Sequence, residues 1–272
     1  MNRTALDGRV RLAAQAARDA GALILGQYGH PSEVRTKDGR ELVTAADSGS
    51  EAIIIDAIRR EFPHDHIVAE ESSPDAASPA SGDPSLSGRR VTWIIDPLDG
   101  TNNFAHGYPF FCVAIAIEVG EQVVAGVVYD PLRDELFLAE RGRGATMNGE
   151  KIHVSNGSSL DEAIVATGFP YGRSETTVNN LANLNRFILG VRGVRRGGSA
   201  ELDLVYVACG RLDGFWELGL KTWDVSAGGV IVLEAGGRVT NVGSGDWDHR
   251  RGDVVASNGA LHDAMLELVD TN

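Results

Sequence analysis

Along this chain the spacing of apolar positions changes from helical to alternating and back, and each change marks an element. From residue 7 onward Val10, Ala14, Ala17, Gly21 and Ile24 recur at helical spacing. They predict a first helix with Asp7 as its cap and Gly29-His30-Pro31 as its end. Residues 34–43, broken by Lys37-Asp38-Gly39, read as a hairpin or flap. A second helix is predicted over 44–60, with Ile54 and Ile58 turned inward and Asp47 on the same stripe. Ile67-Val68-Ala69 is a short strand ending in Glu70-Glu71. Strand-like runs then dominate at 91–95, 111–119, 123–129 and 135–138, two of them joined by a turn at 120–122.

The C-terminal part alternates: strand 164–167, helices 177–190 and 199–209, strand 214–217, helix 223–235, strand 254–256 and helix 259–269. Mixed sheets layered with helices, an α/β or α+β sandwich, is the architecture this order supports. No repeat and no break in composition demands independent domains, so one domain over 1–272 is expected, with 1–150 and 151–272 as lobes. Segment 73–90 carries Pro74, Pro79 and Pro84 among Ser, Gly and Asp and reads as a surface loop without chemistry of its own.

Composition narrows the function. At 272 residues, 43% hydrophobic and 23% charged, the chain can bury a sizeable core. Its net charge of −13 argues against a general binder of nucleic acid or membrane surfaces, but not against an anionic substrate held through cations. Cys112 and Cys209 both lie in apolar segments and read as buried free thiols. Neither a secretory leader nor a membrane-length apolar run is visible, so a soluble, cytoplasmic protein is expected.

The candidate chemistry begins where the strand at 91–95 ends, at Asp96-Pro97-Leu98-Asp99-Gly100-Thr101. Two carboxylates beside apolar structure need a neutraliser, and hard divalent cations are the usual one for oxygen-only clusters. Gly100-Thr101-Asn102-Asn103 can open a helix whose free N–H groups face an anion. The same hexapeptide is also good turn chemistry, so by itself it does not decide. Three further acids stand at element ends: Asp47, Glu70 and Asp224. Taken singly, Asp224 reads as a helix N-cap, Glu70 as a solvated loop residue and Asp47 as a local cap. Their joint occurrence with the Asp96 turn points to metal-assisted phosphate chemistry.

These segments are similar to the inositol monophosphatase family of magnesium-dependent, lithium-sensitive phosphomonoesterases. The matching pieces are Leu42-Val43-Thr44-Ala45-Ala46-Asp47, Ala69-Glu70-Glu71-Ser72, Trp93 to Phe104, and Trp223-Asp224 with Gly228 and Gly236-Gly237 behind it, in the family's order. The resemblance implies a layered αβαβα sandwich with mixed sheets, a homodimer and two or three Mg²⁺ ions. Glu70, Asp96 and the Leu98 carbonyl would hold the first ion, and Asp96, Asp99 and Asp224 the second. A third would sit near Glu70, largely on water. Thr101, bonded to Asp47, would orient a metal-activated water, while the N–H groups of Gly100 and Thr101 hold the phosphate. Ser199, Ala200 and Glu217 resemble the family's contacts with a polyol, although Glu217 also reads as a strand-end surface residue. Arg195-Arg196 would meet a substrate anion or a subunit, or stay in solvent, and Lys37 would screen the third ion or be a solvated turn residue.

Inositol 1-phosphate is the substrate the resemblance favours. Histidinol phosphate, fructose 1,6-bisphosphate and 3′-phosphoadenosine 5′-phosphate are the alternatives within the superfamily. Asn102, where inositol phosphatases commonly have Thr and histidinol-phosphate phosphatases Lys, does not choose between them. An aspartyl-phosphate mechanism of the haloacid-dehalogenase type needs its acids at i and i+2, and Asp96 and Asp99 stand at i+3. A non-catalytic binding module on the same fold would be marked by missing site residues, and none is missing. The seven histidines read as incidental.

Overall fold

The structure, a computed structural model, describes residues 3–38, 41–72, 86, 88–174, 179–243 and 245–270. The 73–90 loop therefore lies largely outside the described residues. The chain opens with α1 (Arg3–Gln27), the antiparallel pair β1 (Arg35–Asp38) and β2 (Glu41–Val43), and α2 (Ala45–Glu61). A seven-stranded sheet follows in chain order: β3 (His66–Ala69), β4 (Val91–Asp99), β5 (Cys112–Val119), β6 (Gln122–Asp130), β7 (Glu135–Glu140), β8 (Gly144–Met147) and β9 (Glu150–Lys151). Only β3 and β4 run parallel; the other neighbours are antiparallel. The short α3 (Thr101–Ala105) sits between β4 and β5.

The second half supplies β10 (Ile164–Thr167), α4 (Leu181–Gly190), β11 (Gly193–Arg195), α5 (Ala200–Ala208) and β12 (Gly214–Leu218). It ends with α6 (Ser226–Glu234), β13 (Arg238–Thr240), β14 (Asp253–Ser257) and α7 (His262–Leu266). Its five strands pair in the order β11-β10-β12-β14-β13, parallel around β10 and antiparallel around β14.

Alternation along the strands sorts the molecule into layers. Trp93, Ile95, Val113 and Ile115 face α1 and α2, where Ala13, Ala17, Ile24, Ile54 and Ile58 complete one core. Ile94, Ala114 and Ala116 face the other way, onto α5 and α6, and share a second core with Ala166, Phe215 and Ala256 of the five-stranded sheet. The outer face of that sheet, Val165, Trp216 and Val255, is covered by Phe187 of α4 and by Leu261 and Met265 at α7. Helices, sheet, helices, sheet, helices: the αβαβα sandwich is what the packing produces. A buried pair ties the outer helices to the first sheet. Arg9 donates to both oxygens of Asp65 at 2.6 and 2.8 Å, and Trp93 Nε1 donates to Asp65 Oδ2 at 2.8 Å.

The local expectations fare unevenly. Asp7 is no cap, because α1 starts at Arg3, and its carboxylate instead meets Arg143 at 2.8 Å. The last helices are shorter than their periodicity implies: α4 begins after Asn180, held left-handed at φ 66°, and α6 begins at Ser226. Four short strands, β8, β9, β11 and β13, carry too few residues to show a period and exist because a neighbour offers a free edge. Cys112 is buried and free, and Cys209 is free and half-buried. Among the described residues no helix is long and apolar enough to cross a membrane.

Candidate active site

The Asp96 corner is not the end of its strand. β4 continues to Asp99, but Asp96 pairs with Ala114 and Asp99 with Cys112, so three steps on β4 match two on β5. The extra residue is a β-bulge. In a regular strand residues i and i+3 point to opposite faces. With one residue extra, Asp96 and Asp99 both line a single cleft of about 280 Å³. Ser50 of α2 donates its hydroxyl to the Pro97 carbonyl at 2.6 Å and pins the bulge from behind. Gly100 then turns the chain into α3 at φ 95°, where a Cβ would stand 2.9 Å from the Phe110 carbonyl.

The same cleft is lined by Lys37, Glu41, Glu70, Leu98, Gly100, Thr101, Glu217 and Asp224. A smaller recess continues from it past Ser199, Ala200 and Arg196. Every residue expected at the site except Asp47 thus reaches the cleft or its recess. Asp47 lies behind, fully buried at the start of α2. Its Oδ2 accepts from the Thr44 N–H at 2.7 Å and the Thr44 hydroxyl at 2.6 Å, a capping box. Its Oδ1 stands 2.7 Å from Thr101 Oγ1, which is also 3.0 Å from the Leu98 carbonyl. Asp47 therefore caps α2 and bonds Thr101 of the cleft at once.

Each acid is held by the protein. Asp99 Oδ2 accepts from Ser199 Oγ at 2.6 Å and from the Glu201 N–H at 2.7 Å, which fixes it to the start of α5. Asp96 Oδ1 accepts from the Leu98 N–H at 3.1 Å. Asp224 does not cap α6; it closes a turn by accepting from the Lys221 N–H at 2.6 Å, two residues before the helix begins. Glu70 pairs with Lys37 at 3.3 Å, and that lysine also reaches Glu71 at 2.9 Å and Glu41 at 3.6 Å. Gly168 passes so close to Glu217 that a Cβ there would stand 2.1 Å from its carboxylate oxygens.

Crowding shows in the acidities. Burial first, then the Asp224 charge, lifts Glu70 to about 9. Burial and Asp224 lift Glu217 to about 8, and burial lifts Asp224 to about 7. Asp99 rises to about 6 through burial, opposed by the hydrogen bonds from Ser199 and Glu201. Asp96 is pushed well above the carboxylate range by burial and by Glu70. Burial also raises Asp47, against the bonds from Thr44 and Thr101. Six carboxylates face two lysines in the lining of this cleft. Such a surplus is relieved by bound cations, and an all-oxygen donor set suits a hard one. Among the described residues no three acidic, His or Cys side chains converge as a ready-made metal cage. An ion that keeps much of its water shell does not need one.

Some of the site was not foreseen. Glu41, Phe169, Pro170 and Tyr171 line the cleft without any sequence signal. Glu201 is fully buried, and its carboxylate accepts from the Ala227 N–H at 3.1 Å and from the Gly228 N–H, joining α5 to the first turn of α6. Its position straight after Ser199-Ala200 is the one hint the sequence offers. Arg195 and Arg196 both line a separate hollow with Tyr108 and Tyr206, and of the two only Arg196 also reaches the recess. No histidine lines the cleft or the recess among the described residues; His249 and His262 are buried with partners elsewhere.

The sequence matches the inositol monophosphatase family over residues 6–272. It is 43% identical over 262 residues to an inositol-1-monophosphatase of Synechocystis, covering 96% of this chain and 88% of that protein. It is 41% identical over 259 residues to Nus factor SuhB of Escherichia coli strain K12, covering 94% of each. The solved inositol monophosphatase of Anabaena superposes with a TM-score of 0.84 at 41% identity, over 97% of this chain and 95% of that one. With sequence and fold agreeing over nearly its whole length, the chain belongs to the inositol monophosphatase family.

Proposed function

We propose that this protein hydrolyses a small phosphomonoester in the presence of Mg²⁺, with inositol 1-phosphate as the preferred substrate. The observation that carries this reading is the meeting of Glu70, Asp96, Asp99 and Asp224 in one cleft beside Thr101 and its buried partner Asp47. Two or three ions would be held among Glu70, Asp96, the Leu98 carbonyl, Asp99 and Asp224. When bound, they supply charge neutralisation for the phosphate and acidify a water for attack.

The chain's own groups do the rest. Thr101 gives its single hydroxyl proton to Asp47 Oδ1, which leaves its oxygen lone pairs to accept from the attacking water and orient it. Asp47 keeps this acceptor role because Thr44 holds its other oxygen. The first N–H groups of α3, with that of Gly100, face the phosphate. Glu70, paired with Lys37 at 3.3 Å, would help hold the first ion and take part in accepting the water's proton. Ser199, Ala200 and Glu217 bind the hydroxyls of the leaving polyol at the recess. No side-chain nucleophile is needed. The name of the Escherichia coli relative supports a second reading, in which the same fold also binds a protein or nucleic-acid partner. A homodimer, as the family resemblance implies, would give a light-scattering mass of twice 28.9 kDa.

The deciding experiment is phosphate release from inositol 1-phosphate, histidinol phosphate, fructose 1,6-bisphosphate and 3′-phosphoadenosine 5′-phosphate, each with Mg²⁺ and with chelator. Magnesium-dependent release led by inositol 1-phosphate is expected. Release led by another compound overturns the substrate. Silence across the panel from folded protein overturns the catalytic reading and favours the binding one.

A further inference from the structure

The catalytic cleft has a larger neighbour. A depression of about 760 Å³ lies beside it, with Leu220, Lys221 and Trp223 lining both, so the segment that carries Asp224 is the partition between them. Its floor is one face of the β3–β4 edge of the seven-stranded sheet, made by His66, Val68, Thr92 and Ile94. Its rim is Arg90, the β5–β6 turn at Gly120 and Glu121, and the loop from His249 to Gly252.

The charge of this hollow opposes that of the chain. Arg90, Lys221, Arg250 and Arg251 stand against Glu118 and Glu121, in a protein of net charge −13. Glu118 is already engaged: it lies 3.0 Å from His249 Nε2 and accepts from Arg250. Arg251 has a loose pairing with Asp253, at 3.6 Å, and a long hydrogen bond to the Val242 carbonyl, at 3.5 Å. Among the described residues neither the Arg90 guanidinium nor the Lys221 ammonium has a hydrogen-bond or ion-pair partner. Arg90, Arg251 and Lys221 thus line one concave surface; Lys221 is shared with the acidic cleft, where its charge acts on Asp224, while the Arg90 guanidinium is left for a ligand. Guanidinium and ammonium groups so placed suit phosphate oxygens. The volume is that of a small-molecule pocket rather than of one inorganic ion, and Val68, Ile94, Leu220 and Trp223 give it an apolar wall on which a flat ring can lie.

We propose that this hollow is a second, non-catalytic anion site that binds a polyphosphorylated small molecule of nucleotide size. Its phosphates sit on Arg90, Lys221 and Arg251, and its ring on the Trp223 side. The catalytic cleft cannot take this ligand without cations, because its own carboxylates repel it. That difference makes the site measurable by itself.

The test is calorimetric titration of ATP into metal-stripped protein at low ionic strength. Saturable binding of one ATP per chain is expected, unchanged in Asp99→Asn and weakened about tenfold or more in the Arg90→Ala/Arg251→Ala double variant. Phosphate release by the double variant, assayed without ATP, stays at the wild-type rate. Arg90→Glu is the second probe, and it must weaken ATP at least as much as Arg90→Ala does. Absence of saturable binding, or equal affinity in the double variant with its melting curve unchanged, overturns the site. Inorganic triphosphate binding as tightly as ATP overturns the nucleotide-sized ligand. None of these results depends on which phosphomonoester the cleft hydrolyses.

Discussion

Asp99 shows how much one residue carries. Its carboxylate faces the cleft, yet one oxygen is committed to Ser199 and to the start of α5. Asparagine can keep those two bonds through its amide oxygen while losing the charge. Asp99→Asn is therefore expected to lower phosphate release about a hundredfold or more while melting near the wild-type temperature. Full activity in that variant would remove Asp99 from the ligand set. Thr101 differs, because its hydroxyl touches Asp47 and a backbone carbonyl rather than another acid. Thr101→Ala should cost about a hundredfold in kcat with the magnesium dependence little changed, and Thr101→Ser should recover most of it. At this scale the sequence was informative where a residue type was unusual for its place, as with Asp47 on an apolar stripe. It offered only a position beside Ser199-Ala200 for Glu201, whose importance comes from two N–H groups of a helix more than twenty residues later.

The bulge in β4 decides the site at the level of elements. Pattern alone placed a corner after Ile95, since Asp-Pro and Asp-Gly are turn pairs. The sheet instead absorbs the interruption, because β5 offers an unbroken partner as far as Cys112. The long strands were legible for the same reason that they are stable: each alternates between two apolar layers. The short strands β8, β9, β11 and β13 were not, because a run of two to four residues has no period to read. Gly168, just after β10, is the element-level test of Glu217. A methyl group there must push the carboxylate aside, so Gly168→Ala should raise KM for a polyol phosphate more than it lowers kcat, with the fold intact. An unchanged KM would place Glu217 outside the substrate contacts.

Across the whole molecule, the Arg9–Asp65–Trp93 cluster is a buried polar link between α1 and the first sheet. Arg9→Ala leaves a buried carboxylate without its cation and should cost about 3–5 kcal/mol in urea unfolding. A loss within the range of a surface substitution would show that the cluster is not enclosed in solution. The acidic cleft acts on stability through protons. Glu70, Glu217, Asp224 and Asp99 have folded-state acidities raised to about 9, 8, 7 and 6. Between those values and the ordinary carboxylate range, the folded state binds more protons than the unfolded one. Stability of metal-free protein therefore falls as pH rises from about 5 to about 9, the reverse of a salt-bridged acid. Melting at pH 5.5 and 8.5 checks this, and Mg²⁺ should restore most of the loss at the higher pH.

The bonds from Ser199 and Glu201 to Asp99 also have a consequence for how the protein is made. Glu70, Asp96 and Asp99 leave the ribosome well before residue 199, with the first sheet already able to pair. Until the second half emerges, Asp99 lacks the donors that set its direction, and Asp224 does not yet exist. A nascent chain can thus own a finished β-sheet and no workable cleft. Enzymatic competence in this molecule is acquired late in synthesis, after α5 has docked and the segment carrying Glu217 and Asp224 has followed it.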